Sequence, residues 1–451
     1  MKLWGLKFFP GNGIVGAMKS KLRKAFKDLR WRVSVYRAKR ARAKSKATFI
    51  GVTGSSGKST VTALLGHILA AHRPVYTQVL ANTIHSVVST LYRRMKHVEQ
   101  ADYVVMETGA YGVDTIRPMA EMLQPHVAVV TMIRLEHVAS FRTLENVAIE
   151  KRALVAALRP GGLAVLNADD PYVADMATGA GCRVVTFGAA RTADYRVTDI
   201  HAAYPDRLTF SIHWRGGLLQ IQTSFPAEYF WLPTVAAVAT ALELGVPPHK
   251  VVAQVATFQP VVNRCAVLIT EGGPQFIVDA AKAPWHSINL ALDMMAKATA
   301  SRKRIVIGQI SDYTGSSRKY AHAYQTAREI ADQVIYTGDN AHRSRASQSD
   351  RDNGQFVELR TVKEVSDHIK RTAVPGELIL VKSSSNLHLE RIALAWTHDV
   401  KCWIPICGKK EGCQTCGMYE LPYEQHRAHV MLRRPTRMWR QFRGMFRGRS
   451  S

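Results

Sequence analysis

Between residues 47 and 188, short unbroken apolar runs alternate with stretches of helical periodicity: TFIGVTG, PVYTQVL, DYVVMET, HVAVVTMI, GLAVLNA and RVVTFG. Runs of this kind, spaced by helix-length segments, predict a parallel sheet covered by helices on both faces. Over residues 195–224 the period changes to two and turn residues become frequent, which predicts an antiparallel appendage. WLPTVAAVATALELGV reads as a buried helix. Pro233 and Glu243 interrupt it, and no apolar run reaches the roughly 18 residues of a membrane span. A second series, QFIVDAAKAP, RIVIGQISD, QVIYTGDN and ELILVKSSS, predicts a smaller domain of four strands with their helices. The expected architecture is α/β: a P-loop central domain with a parallel sheet, then a smaller Rossmann-like C-terminal α/β domain. The expected boundaries are an arm over 1–47, a central domain over 48–260, a C-terminal domain over 261–397 and a tail over 398–451. Two such domains imply a cleft between them, a usual place for a ligand.

Val15, Met18, Leu22, Phe26, Leu29 and Val33 recur at spacings of three and four, with Lys19, Lys21, Arg23, Lys24, Lys27 and Arg30 between them. This predicts a basic amphipathic helix. Its stripe can lie on an anionic membrane surface, dock on the rest of the chain, or belong to an organelle transit peptide. Charge sharpens the contrast between ends and middle. Of the net +26, residues 1–47 carry +14 and residues 398–451 carry +7, leaving an ordinary +5 between them. Six cysteines in 451 residues are too few for a disulfide scaffold, and the opening MKLWGLKFFPGNG does not read as a signal peptide. The expected location is the cytoplasm, with peripheral membrane contact through the basic helix. The tail spaces Cys402, Cys407, Cys413 and Cys416 as Cys-x4-Cys-x5-Cys-x2-Cys, followed by RRPTRMWRQFRGMFRGR with Trp439, Phe442 and Phe446 among its arginines. Four thiols this close can hold a structural Zn²⁺, stay unligated, or hold an iron–sulfur cluster, in that order of preference. The arginine–aromatic run suits lipid, an anionic polymer or RNA.

The candidate chemistry centres on GVTGSSGKST, residues 51–60, which follows an apolar strand and opens a helix. Glycines there let backbone N–H groups close on phosphate, and the helix N-terminus adds its dipole. Gly54, Ser55, Ser56 and Gly57 form the cradle, Lys58 neutralises terminal phosphates, and the hydroxyl of Ser59 or Thr60 ligates Mg²⁺. The spacing departs from the usual P-loop, because Val52 stands where its first glycine belongs.

That altered spacing, Gly-x-x-Gly-x-x-Gly-Lys-Ser/Thr, resembles the loop of the Mur ligases, which join a carboxylate to an amine with ATP through an acyl phosphate. VVMETGAYGVDTI resembles the family strand that ends in a magnesium-binding glutamate, here Glu107. VAVVTMIRLEHVASFRTLENVAIEKRALV resembles the next block, which implies His137 as a further magnesium ligand and Lys151 as a lysine that is carbamylated in several members and then acts as a carboxylate ligand to magnesium. LNADDP is a typical family run, and VDAAKAP resembles the nucleotide-contacting Asp-x-Ala-His-x-Pro, with Lys282 in place of its histidine. GQISDYTGSSRKYAH and LILVKSSSNLHLERI resemble blocks of the member that adds D-alanyl-D-alanine, so the resemblance spans about residues 48–397. It implies Asp279 for the ribose hydroxyls, Arg264 for a nucleotide phosphate, and Lys282 against a phosphate or acyl-phosphate oxygen.

Three departures matter. About 47 residues precede the first strand, where that member carries a domain gripping a UDP-sugar, so a different carboxylate or another subunit is expected. Tyr229 and Phe230 stand where the family has His-Asn, so adenine is held by stacking or another base is used. Lysine replaces the histidine at 282. The sequence therefore predicts an ADP-forming, ATP- and Mg²⁺-dependent ligase of small-molecule or peptide carboxylates and amines. The alternatives are a P-loop ATPase that binds RNA or an anionic polymer through its basic ends, ranked below a membrane contact, and a ligase-derived subunit that needs a partner.

Overall fold

The computed structural model describes residues 12–311, 316–409 and 411–430. The side chains of Val15, Met18 and Lys19 and the whole arginine–aromatic tail lie outside the described residues.

Nine strands form the first sheet: β1 (Thr48–Thr53), β2 (Val75–Gln78), β3 (Tyr103–Glu107), β4 (Val127–Val130), β5 (Leu163–Asn167), β6 (Arg183–Gly188), β7 (Tyr195–His201), β8 (Thr209–Trp214) and β9 (Gly217–Gln222). Their order is β2-β3-β1-β4-β5-β6-β7-β8-β9. The strands from β2 to β7 pair in parallel, and β7-β8-β9 run antiparallel. The predicted appendage is therefore a continuation of the main sheet, joined through Phe187 opposite Tyr195 and Gly188 opposite Arg196. The central strands are apolar throughout because helices cover both faces. Ile50, Val52, Val105 and Val129 pack into one core layer, and Phe49, Val104, Met106 and Val130 into the other. Each such side chain contributes about 1.5–3 kcal/mol on burial. The helix Trp231–Glu243 is buried along nearly its whole length.

The second sheet contains β10 (Ala266–Ile269), β11 (Gln275–Asp279), β12 (Lys303–Ile307), β13 (Gln333–Thr337), β14 (Phe356–Leu359) and β15 (Leu378–Lys382), in the order β10-β11-β15-β12-β13-β14. Six strands replace the four expected. The two additions are four-residue edge strands, β10 antiparallel to β11 and β14 parallel to β13. Edge strands have one unpaired side and half-exposed positions, so they lack the continuous apolar run that marks a central strand.

Of the alternatives for the apolar stripe of α1 (Asn12–Lys44), docking on the rest of the chain is not what its described residues do. Leu22 and Phe26 are 66% and 62% exposed, and Leu29 and Val33 are exposed as well. The helix docks through a later face instead. Trp31 packs on His85 with ring centroids 4.3 Å apart, and Ala38 is fully buried. Arg42 donates to the carbonyls of Leu123 and Gln124 at 2.5 and 2.6 Å and lies 3.9 Å over the Phe49 ring. Among the described residues, no helix is long and apolar enough to cross a membrane.

Candidate functional site

β1 ends at Thr53, and the chain turns through 54–57 into α2 (Lys58–Ala70). Two glycines make that turn. Gly54 has φ +140° and Gly57 φ +82°, and a Cβ on Gly54 would collide with Thr131 Oγ1. The neighbouring strand end holds the loop: Ser55 N–H donates to Met132 O at 2.8 Å, and Thr131 Oγ1 donates to Ser56 O at 2.6 Å. No side chain caps α2, and Lys58, Ser59 and Thr60 of its first turn line the cleft, as an anion cradle requires. Lys58 Nζ donates to Gly54 O, which folds the lysine over the loop.

Ser59 Oγ donates to Glu107 Oε2 at 2.9 Å across the gap between α2 and the end of β3. The Leu80 N–H donates to the same oxygen at 2.9 Å, and Asn82 Nδ2 donates to Glu107 Oε1 at 3.1 Å. Burial works to raise the Glu107 carboxyl, but Lys58, Arg264 and these donors together hold it below the ordinary carboxylate range. A P-loop hydroxyl bonded to an ionised strand-end carboxylate fits a hard divalent cation, since both groups offer oxygen.

From the second sheet come the carboxyl ends of β11 and β15. Asp279 pairs with Lys382, Nζ to Oδ2 2.5 Å, and Lys382 also donates to Lys282 O at 3.0 Å. One cavity of about 100 Å³ is lined by Ser55, Ser56, Gly57, Lys58, Ser59, Thr60 and Glu107 from the first sheet's side and by Arg264, Asp279, Lys282 and Lys382 from the other. Tyr229 and Phe230 line it too, with ring centroids 4.6 Å apart, and the Tyr229 hydroxyl lies 2.8 Å from Cys265 Sγ. The charged lining residues are four cations, Lys58, Arg264, Lys282 and Lys382, against two acids, Glu107 and Asp279. Arg264 Nε is buried without a hydrogen-bond partner. Burial, then Lys58 and Arg264, push the Lys282 ammonium down to about 8. Such a site is short of negative charge.

Lys151 and His137 stand apart from that lining. Lys151, on the helix Leu144–Ala156, is fully buried and pairs with Glu136 Oε1 at 2.7 Å. Burial outweighs this partner, and with Lys58 and Lys282 nearby the ammonium is pushed down to about 8. The same cations hold Glu136 down at about 2 against the effect of burial. His137 begins the short helix Val138–Phe141 with φ +49° and is not among the cavity-lining residues. Glu136 and Lys382 are the two charged groups that sequence reasoning missed. Lys382 had a signal, a lysine closing an apolar strand run, while Glu136 lay one residue before the histidine that drew attention.

The four tail cysteines come together in a separate pocket with His388.

A glycine-rich turn at the carboxyl edge of a parallel sheet, facing a second α/β domain across a cationic cavity, defines a P-loop fold of two lobes. The model of the Mur ligase middle domain matches residues 52–241, and that of the Mur ligase glutamate ligase domain matches residues 263–385. The chain belongs to the Mur ligase family. It is 28% identical over 250 residues to a UDP-N-acetylmuramoyl-tripeptide–D-alanyl-D-alanine ligase of Mycobacterium tuberculosis, covering 55% of this chain and 49% of the relative. It is 25% identical over 352 residues to a UDP-N-acetylmuramate–L-alanine ligase of Desulforamulus reducens, covering 75% and 73%. The match thus spans about half the length of the mycobacterial relative. The fold is similar to that of a MurF ligase from Thermotoga maritima in complex with ADP, with TM-score 0.70 and 18% identity over 81% of this chain and 82% of that one.

Proposed function

We propose that this chain is an ADP-forming ligase that joins a carboxylate to an amine through an acyl phosphate. The observation that carries this reading is the cavity itself, a backbone anion cradle facing an excess of two cations. A nucleoside triphosphate supplies the missing negative charge. The γ-phosphate lies against Lys58 and the α2 N-terminus, while Arg264 and Lys282 close from the other lobe. Tyr229 and Phe230 offer aromatic surface for the base. Asp279 accepts a ribose hydroxyl beside Lys382.

Ser59 and Glu107 fit Mg²⁺, whose chemistry when bound is to neutralise phosphate oxygens as charge shifts among them. A carboxylate oxygen of the acceptor attacks the γ-phosphorus, the bond to the β-bridging oxygen breaks, and ADP leaves. The amine nitrogen then attacks the acyl carbon, a C–N bond forms, the C–O bond to phosphate breaks, and the amine gives up a proton. Lys58 holds the transferring phosphate in both steps, while Arg264 and Lys282 bind the nucleotide from the other lobe. Lys151, whose ammonium is pushed down to about 8, gives up a proton, and its neutral amine reacts with CO₂ to a carbamate: Nζ bonds carbon, a second proton leaves, and a cation becomes an anion.

ADP release measured with Mg²⁺ and bicarbonate tests the reading, with pooled carboxylates and pooled amines added separately and together and Lys58→Ala as control. Release that needs both pools supports a ligase. Release indifferent to both but raised by RNA overturns it in favour of a nucleic-acid ATPase.

The exposed turns of α1 over residues 21–30 support contact with an anionic membrane surface. Residues 21–30 are all exposed, and the stripe Leu22, Phe26 and Leu29 runs among Lys21, Arg23, Lys24, Lys27 and Arg30. Each cation adds about 1 kcal/mol near anionic lipid. Co-sedimentation with phosphatidylserine vesicles, lost on Leu22→Asp with Phe26→Asp, is the expected result. Equal sedimentation of the two proteins refutes it.

A further inference from the structure

Beyond the end of β15 the chain builds a second pocket that the ligase chemistry does not use. Cys402, Cys407, Cys413 and Cys416 all line it, together with His388, Arg391 and Lys409, around a cavity of about 20 Å³. That space suits one small particle and no larger ligand. The two cysteine pairs are built alike. Cys407 and Cys416 are each followed by a glycine in the left-handed region, Gly408 at φ +71° and Gly417 at φ +67°. Each left-handed glycine reverses the chain sharply just after a thiol, a turn other residues seldom adopt.

The surroundings suit a negatively charged centre. Lys409 Nζ lies 3.0 Å from Cys416 Sγ, and His388 Nε2 lies 3.2 Å from Cys407 Sγ. Arg391, almost fully buried, donates to the carbonyls of Cys402 and Ile404 at 2.7 and 3.0 Å. On its other side His388 Nδ1 lies 3.0 Å from Glu390 Oε1, the pairing that orients an imidazole beside a metal centre. The Cys413 N–H donates to the same oxygen at 2.9 Å. Glu390 is 1% exposed, and its other oxygen has no hydrogen-bond partner. A nitrogen of His388, an oxygen of Glu390 and the sulfur of Cys413 already lie within 4.8 Å of one another.

We propose that this pocket is a structural zinc site in which the thiolates of Cys402, Cys407, Cys413 and Cys416 coordinate one Zn²⁺ tetrahedrally. Each thiol gives up its proton as its sulfur binds, so the centre carries two net negative charges. Lys409 and Arg391 balance them, and Glu390 keeps His388 oriented. Soft sulfur ligands in a tetrahedral set select zinc over the magnesium of the cleft. The metal fixes the two cysteine pairs beside the junction between the lobes. Gly412 packs on Asn263 so closely that an added Cβ would meet its side-chain nitrogen at 2.5 Å, and Asn263 precedes the cleft residue Arg264.

The test is elemental analysis of the full chain, purified with a thiol reductant and no added metal, alongside Cys413→Ser with Cys416→Ser. The expected result is one zinc per chain, falling to near zero in the double variant. Because that variant can fail to fold, the wild-type chain is also stripped with chelator and titrated with Co²⁺. Intense sulfur-to-cobalt charge-transfer and tetrahedral d–d bands that saturate at one equivalent are expected, reversed by Zn²⁺. A chain with no stoichiometric zinc, whose reduced thiols react freely with Ellman's reagent and give no such bands with Co²⁺, overturns the proposal whether or not it is a ligase.

Discussion

The two lobes of the cleft prepare for an anion by different means. The central lobe uses mainly backbone, with left-handed glycines at 54 and 57 and an uncapped helix N-terminus, and adds one side-chain cation, Lys58. The C-terminal lobe uses side chains, Arg264, Lys282 and Lys382 around a single acid, Asp279. Backbone dipoles are fixed by the fold and cannot be titrated, whereas side-chain cations carry a desolvation cost that a bound polyanion relieves. On the proposed reading, phosphate is therefore held mainly by the central lobe, and its arrival would favour closure of the C-terminal lobe. The comparison can be broken at several points.

The largest effect is expected from the central lobe. Lys58→Ala should lower the maximal rate of ADP release about 10²–10³-fold, the usual loss when one preorganised charge partner of a reacting oxygen is removed. Rapid-mixing turnover measurements would show it. A loss confined to the KM for ATP would mean that Lys58 binds nucleotide without meeting the transferring phosphate. Lys151→Met comes next, read as stability. It strands Glu136 at 6% exposure without its 2.7 Å partner, and unpairing a buried charge costs about 3–5 kcal/mol. Urea denaturation should show the lower midpoint, and Lys151→Met with Glu136→Gln should recover most of it. No recovery would mean that the pair does not carry the cost.

On the C-terminal side the expected effect is smaller. Arg264→Ala or Lys282→Ala should raise the KM for ATP about tenfold, near 1.4 kcal/mol, because a cation of the closing lobe is lost while the cradle persists. Steady-state kinetics decides this, and a change in kcat alone would assign these residues to chemistry rather than closure.

This asymmetry also explains what the sequence made legible. The cradle is a backbone requirement, so glycines at fixed offsets followed by Lys58 and Ser59 announce it. Glu107, by contrast, was found by resemblance, since an acid at the end of an apolar strand reads equally as a solvent-facing carboxylate. The C-terminal cations follow no spacing rule, because a side chain can reach the cavity from several strands; Arg264 and Asp279 were found by resemblance, and Lys382 was passed over. Glu136 was hidden for another reason. Its role depends on Lys151 being buried, and EKR in isolation reads as an exposed helix face. In the sheets, β10 and β14 were missed where half-exposure erases the apolar run, and the docking face of α1 depends on Trp31, Ala38 and Arg42, which pattern alone does not separate from the more regular stripe of Leu22, Phe26 and Leu29.

The finest test uses pH, since each side of the cleft has one buried lysine pushed down to about 8, Lys151 and Lys282. An unfolded lysine keeps its ordinary value near 10.4. Below pH 8 both states hold the proton and the burial cost is present in full. Between about 8 and 10.4 the unfolded chain binds protons that the folded chain has released, so stability rises with pH through that window. The slope is at most about 1.4 kcal/mol per pH unit for each lysine. Denaturation at pH 8 and 9 should show the rise, and Lys151→Met should remove one share of it. Bound ATP analogue should remove the other, because phosphate beside Lys282 favours the ammonium, whereas Lys151 lies outside the cavity lining. A ligand that flattened both shares equally would show that the two lobes sense the anion together.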